Sequence, residues 1–304
     1  MLKKLLLSCS ILFASATLHA EFDLVPYYGI KVNYSGLKYK EIYLHSSESH
    51  LSGKEIPTGN TFNLVINDPT GFKDSAGTAR ISLVWELTDE SGTRLILPQN
   101  LYRNNPLFHI GTLSNITLPV VLDYSIKTGT VVYLKAKLTD NRSGSFINLE
   151  YKAKVVSSTK NLKKIPIRYN YSTAQGMKGI SFGLHYNFFE FKGMKGNNFI
   201  YKIQKNGNIH FSLRGMDGWK LQDDKAMPSA KATIYSADGK ELRTIEDVLP
   251  KEYTKGISAE KKELEFQFDP GELNADRFYI IQFTLSDQNN KANTLDLVLK
   301  VFVE

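Results

Sequence analysis

Phe62-Asn-Leu-Val-Ile-Asn-Asp-Pro-Thr-Gly-Phe-Lys73 decides the fold, because its pattern returns as Ile209-His-Phe-Ser-Leu-Arg-Gly-Met-Asp-Gly-Trp-Lys220. Phe62, Leu64 and Ile66 recur at every second position, as do Ile209, Phe211 and Leu213, the period of a strand with one buried face. Each strand then runs into a glycine, an aromatic residue and a lysine. Pro69 presets a turn dihedral and Gly71 can take positive φ, so a tight turn follows the first strand. Gly71 and Gly218 are 147 residues apart, and so are Phe72 and Trp219. A constant displacement across the whole motif marks an internal duplication.

Outward from the motif the same displacement holds. Gly36-Leu-Lys-Tyr-Lys-Glu-Ile-Tyr-Leu44 returns 147 residues later as Gly183-Leu-His-Tyr-Asn-Phe-Phe-Glu-Phe191. In both, the apolar alternation changes phase at the same place, between Tyr39 and Ile42 in the first copy. That predicts a β-bulge or a strand that passes from one sheet to another. Ile81, Leu83, Trp85 and Leu87 alternate into the turn Asp89-Glu-Ser-Gly92, and Ala237-Asp-Gly239 marks the matching hairpin. Leu118 to Asp123 and Gly129 to Asp140 answer to Leu264 to Asp269 and Phe278 to Asp287. Asp123 to Asp269 is 146 residues and Asp140 to Asp287 is 147, so one residue was gained between them. Phe146 to Val156 and Leu295 to Val303 close the copies, and no stretch carries the period of a long amphipathic helix.

About seven short strands per copy, separated by frequent turn signals, predict an all-β chain of two tandem immunoglobulin-like antiparallel β-sandwiches. The expected boundaries are 21–157 for the first sandwich, 158–175 for a linker and 176–304 for the second. The pattern looks like tandem immunoglobulin-like repeats of bacterial exported proteins, in architecture only. The cysteine-tryptophan-cysteine signature of antibody domains is absent. The linker is polar and basic, with Pro166 against helix. Its Lys160, Lys163, Lys164 and Arg168 read as a solvated run, with an anion-binding patch as the competing reading.

Residues 1–20 read as a signal peptide: Lys3 and Lys4, then an apolar run from Leu5 to Leu18, then Ala20. Cleavage after Ala16 competes with cleavage after Ala20. The run is too short for a membrane span, which takes about 20 apolar residues. Cys9 loosely mimics a lipoprotein box, but too little apolar core precedes it. It is the only cysteine, so the mature chain lacks disulfides, thiolate nucleophiles and zinc-thiolate sites. A cysteine-free exported chain fits a Gram-negative bacterium, in the periplasm, at the surface or in the medium. The formal charge of +7 becomes 7 − 2 = +5 without Lys3 and Lys4. The charges are interspersed, which favours solubility and implies no nucleic-acid partner.

Chemistry is sparse. His45 and His50, with Glu48 between them, are the only histidine grouping that resembles a metal site, and no third ligand stands near in sequence. No glycine-rich phosphate loop occurs. Asp89-Glu90 and Asp223-Asp224 sit in turns. The chain is therefore read as not an enzyme, a hydrolase with an unrecognised carboxylate pair being the lesser alternative. No cofactor is expected, except calcium as the candidate ion. Asn67, Asp68 and Asp74, and in the second copy Asp217, Asp223 and Asp224, put oxygen donors beside a glycine turn. The competing reading is local turn chemistry, for which Asp and Asn are favoured.

Aromatics are the stronger excess. Tyr186, Phe188, Phe189 and Phe191 put rings on both faces of one strand, and Trp219 follows in the second copy. They are candidate ligand-binding residues, with packing as the competing reading. The function expected is exported, non-catalytic binding of a protein or envelope partner through edge strands and loops. The alternative is a carbohydrate-binding accessory role for the second copy's aromatics. Asp68 becomes Gly215 while alternation, glycine and ring are kept. The shared motif is architectural, and function is expected where the copies differ.

Overall fold

The computed structural model describes residues 20–304 except 27, 47–48, 51–53, 60, 105, 158–167, 170–176, 193–200 and 259. The expected leader, most of the expected linker, and Lys160, Lys163 and Lys164 lie outside the described residues. The chain is all-β. Up to Val156 its strands are β1 (Glu21–Val25), β2 (Ile30–Ser35), β3 (Glu41–Ser46), β4 (Ser49–His50), β5 (Glu55–Pro57), β6 (Thr61–Asn67), β7 (Thr78–Asp89), β8 (Arg94–Asn100), β9 (Leu107–His109), β10 (Asn115–Val121), β11 (Val131–Asp140) and β12 (Phe146–Val156). Beyond them run β13 (Arg168–Tyr169), β14 (Met177–Phe182), β15 (Phe188–Phe191), β16 (Tyr201–Ile203), β17 (Ile209–Arg214), β18 (Lys225–Ala226), β19 (Pro228–Ser236), β20 (Glu241–Ile245), β21 (Ile257–Ser258), β22 (Glu263–Phe268), β23 (Arg277–Asp287) and β24 (Asn290–Val303).

In the N-terminal half a large sheet, β1-β2-β12-β11-β7-β8, carries β5 beside β12 and β9 beside β7. A smaller sheet, β10-β6-β3-β4, faces it across one core. The C-terminal half repeats this as β13-β14-β24-β23-β19-β20, with β16 beside β24, against β15-β17-β22. Among the described strands, none of the first twelve pairs with any of the second twelve. Pairing is antiparallel except for β5 on β12 and β16 on β24.

The duplication read from the sequence is present in the pairing register. Glu41↔Asn67 to Leu44↔Leu64 becomes Phe188↔Arg214 to Phe191↔Phe211, each shifted by 147. Asp140↔Ile81 becomes Asp287↔Pro228. Glu21↔Tyr34 becomes Arg168↔Ser181, so the second unit takes its first strand from within the stretch read as linker.

The phase change has a direct cause, and it is the sheet switch. Gly36 bridges Phe146 in the large sheet, Lys38 bridges Thr70, and by Glu41 the chain pairs with β6 in the small sheet. Gly183, His185 and Phe188 make the same passage. The motif glycine is fixed by this corner. A Cβ on Gly71 would overlap the carbonyl oxygen of Gly36, and one on Gly218 the carbonyl oxygen of Gly183. Asp68 and Gly215 both adopt positive φ, 50° and 67°, which accounts for their exchange, since Asp tolerates that region better than most residues. The motif lysine contributes its backbone. The Lys73 N–H donates to Asp140 Oδ2 at 2.8 Å, and the Lys220 N–H to Asp287 Oδ2 at 2.7 Å. Both carboxylates are fully buried, and so bind the turn after the motif to the end of β11 or β23.

The two halves touch through β1. Phe22 and Leu24 pack with Tyr235, Ile280 and Val298 on the outer face of the C-terminal large sheet. Ile180 and Phe182 of β14 join the N-terminal core. Beside them Asp23 accepts from the Tyr39 hydroxyl at 2.5 Å and pairs with Lys178.

Candidate functional site

The aromatic candidates separate by the alternation of β15. Phe189 and Phe191 are buried in their own core, their rings tilted against Phe211 and Tyr201 respectively. Tyr186 and Trp219 are half-buried against the same core, and burial pushes the Tyr186 hydroxyl up to about 12. The Trp219 indole nitrogen is buried without a hydrogen-bond partner. Phe188 alone points outward, 67% exposed. Its surroundings are charged rather than flat and apolar. Arg214, opposite it in register, pairs with Glu190 at 2.9 Å and Glu263 at 2.7 Å, and Lys192 pairs with Glu265 at 2.8 Å. The five residues therefore do not form one platform: two are core, two seal its margin and one is solvated.

Of the side-chain oxygens proposed for calcium, that of Asp74 accepts a local turn bond, and the bonds made by Asn67, Asp68 and Asp217 use nitrogen or backbone groups. Asn67 Nδ2 donates to Asn115 Oδ1 at 2.8 Å, and Asp74 Oδ1 accepts the Gly77 N–H at 2.8 Å. The Asp68 N–H donates to Ser114 O, and Asp217 exchanges backbone bonds with His185. Asp223 and Asp224 hold φ of 51° and 58°, at the positions where the first copy has Ala76 and Gly77 at 54° and 74°. Among the described residues no three His, Cys, Asp or Glu side chains come together as a metal site. His45 and His50 are opposite in register on β3 and β4, while Glu48 and the His50 side chain lie outside the described residues.

The feature that sequence reading missed is one edge of the N-terminal large sheet. The outer side of β7 takes β8 over Val84 to Thr88 and β9 over Thr78 to Arg80. The connection between them is also fastened, the Leu101 N–H donating to Leu83 O at 2.9 Å and the Ile81 N–H to Pro106 O at 2.8 Å. So β8, the connection and β9 make one continuous edge, and no described strand pairs beyond it. It is anchored from within: Leu95, Ile96, Tyr102 and Phe108 pack on the core, the last two rings in edge contact at 4.9 Å.

On its outside this edge exposes apolar side chains beside Arg94, Gln99 and Asn100. Of nine exposed large apolar residues among those described, Val84, Leu97, Leu101 and Leu107 lie here, with Leu97 68% exposed. The equivalent edge in the second copy, β20, presents Glu241, Arg243 and Thr244 and exposes only Leu242 in this way. Register shifts between Trp85 and Leu87 and between Leu87 and Thr88 interrupt the ladder between β7 and β8. Beside it lies a groove of about 280 Å³, lined by Arg94 and Pro98 of β8, Val84 and Glu86 of β7, Lys135 and Lys137 of β11 and Asn148 of β12. Arg94 is held toward Glu86 at 3.1 Å. A signal for this edge was present in Leu95-Ile-Leu97, three consecutive apolar residues that cannot all face one core.

No protein-family model matches the chain, and no curated protein matches it in sequence. Among solved structures it is similar to pT26-6p at 8% identity, over 94% of this chain and 65% of that one, with a TM-score of 0.19. It is similar to the FN1-FN3 domains of chicken CNTN1 at 9% identity, over 93% of this chain and 97% of that one, with a TM-score of 0.17. At such scores neither likeness bears on function. The sandwich architecture stands on the strand pairing and the two cores. Among the described residues no helix is long and apolar enough to cross a membrane.

Proposed function

We propose that the chain is an exported, non-catalytic interaction protein of the bacterial envelope, and that it binds a protein partner along the β8–β9 edge. The observation that carries this reading is the difference between the copies. One fold is built twice, and only the first copy lines its β7 edge with exposed Leu97, Leu101 and Leu107. Monomeric proteins blunt open edges with charge, as β20 does, because an unpaired strand is a template for another chain. An open edge with exposed leucines is a surface for strand addition.

The test is crosslinking in the intact envelope with three chains: unaltered, Leu97→Asp with Leu107→Asp, and Leu242→Asp as control. All three positions are exposed, so each substitution should change stability by less than about 0.5 kcal/mol. The expected result is a specific adduct from the unaltered chain and the control, lost from the double variant. An adduct that survives in all three would overturn the assignment to this edge. Turnover of a model glycoside by the purified chain would overturn the non-catalytic reading.

A further inference from the structure

We propose a second binding site, for a neutral linear oligosaccharide, on the outer face of the N-terminal large sheet, independent of strand addition at its edge. By register Lys31 of β2, Glu150 of β12, Lys135 of β11 and Glu86 of β7 stand side by side on that face. Arg94 of β8 closes the row, bound to Glu86 at 3.1 Å. Cation and acid thus alternate across five strands, about 19 Å at the usual strand spacing of about 4.8 Å. Among the described residues Lys135 and Glu150 make no hydrogen bond or ion pair, so both keep their polar ends for a ligand. In the next row Asn33 stands opposite Asn148, and neither amide bonds a described residue. The groove beside β8 has a neighbour of about 300 Å³, which runs over Lys31, Asn33 and Glu150 to the turn at Asp238 and Lys240. Asn148 lines both, so the two grooves adjoin there. Small-molecule sites start at about this size and favour the boundary between domains.

The alternation selects the ligand. A carboxylate or an ammonium laid along the row is attracted at one rung and repelled at the next. A hydroxyl both donates and accepts, so it meets Glu150 as donor and Lys135 as acceptor, and an asparagine amide serves it either way. Extended β-linked glycans repeat their rings at close to the strand spacing, which brings successive hydroxyls to successive rungs. The second copy does not offer this surface. Its matching row reads Lys178, Val298, Gln282 and Thr233, without alternating charge. Val298 is moreover buried there under Phe22 and Leu24 of β1. One fold built twice therefore leaves one open ladder, in the first copy.

The test is calorimetric titration of the purified chain with three linear sugars: cellohexaose, which is neutral, a galacturonate hexamer, which is anionic, and a glucosamine hexamer, which is cationic. Cellohexaose should bind about tenfold more tightly than either charged oligomer, with little change between low and high salt. Asn148→Trp, which fills the junction of the two grooves, should abolish binding. Lys135→Met with Glu150→Leu, which keeps the bulk and removes the polar ends, should weaken it about tenfold. Neither residue holds a described bond, so thermal unfolding of that variant should match the unaltered chain. Leu97→Asp with Leu107→Asp should bind the sugar normally, which separates this site from the edge. Failure of all three sugars to bind would overturn the proposal. So would equal or tighter binding of a charged hexamer, or affinity unaltered by Asn148→Trp or by the Lys135 and Glu150 pair. Loss of sugar binding in the Leu97 and Leu107 variant would also overturn it, by moving the ligand to the β8–β9 edge.

Discussion

A hydrogen atom is all that position 71 admits, since a methyl group there would collide with the carbonyl of Gly36 at the corner where the chain changes sheets. Gly77 also has positive φ, 74°, but nothing lies within 4 Å of its would-be Cβ. Gly77→Ala should therefore lose only the backbone preference, about 1 kcal/mol. Gly71→Ala should lose clearly more, about 3 kcal/mol, from backbone and overlap together. Urea unfolding of both variants measures the gap, and equal losses would contradict the corner's role. Asp140 makes the second prediction at this scale. Burial pushes its pKa up, but bonds from the Ser143 hydroxyl and the Lys73 and Arg142 N–H groups outweigh that and hold it below the usual carboxylate range. A lowered folded-state pKa gives stability that is present above the unfolded value, about 3.9, and is lost as pH falls through the folded one. Acid unfolding of Asp140→Asn should show a flatter loss in that window than the unaltered chain, and identical acid limbs would refute the assignment.

Among the elements, β1 does more than its length suggests. Glu-Phe-Asp-Leu-Val reads as a short lead-in before Pro26, yet Phe22 and Leu24 are buried between the two halves. Nothing local announces this, because the partners Tyr235, Ile280 and Val298 lie more than 200 residues away in sequence. Phe22→Ala should cost about 3 kcal/mol of stability, the usual loss for a buried ring. The chain should also expand in small-angle scattering as the halves come apart; an unchanged radius of gyration would place their attachment elsewhere. The sheet switch, by contrast, was legible, because a phase slip shared by two copies has few structural causes. The aromatics were legible only in part. Their number reflected a ring-rich core in the second copy, and the alternation of β15 divides Phe189 and Phe191 from Phe188 more simply than a ligand site does.

At the scale of the molecule, the duplication could be read because displacement survives where residue identity does not: Phe for Trp, Asp for Gly, Lys for His. The β8–β9 edge could not be read in the same way. Leu95-Ile-Leu97 has the composition of a core strand, and only pairing shows that β8 has one neighbour rather than two. Surface properties are weakly encoded in sequence, because neighbours on a sheet face come from distant strands. The most direct measurement of the central claim is hydrogen exchange of the chain, free and in its purified partner adduct. Added protection should fall on Arg94 to Asn100 and extend toward Leu107, with Glu241 to Ile245 unchanged. Protection appearing instead on β20 or on the face around Phe188, or no change along β8, would contradict it.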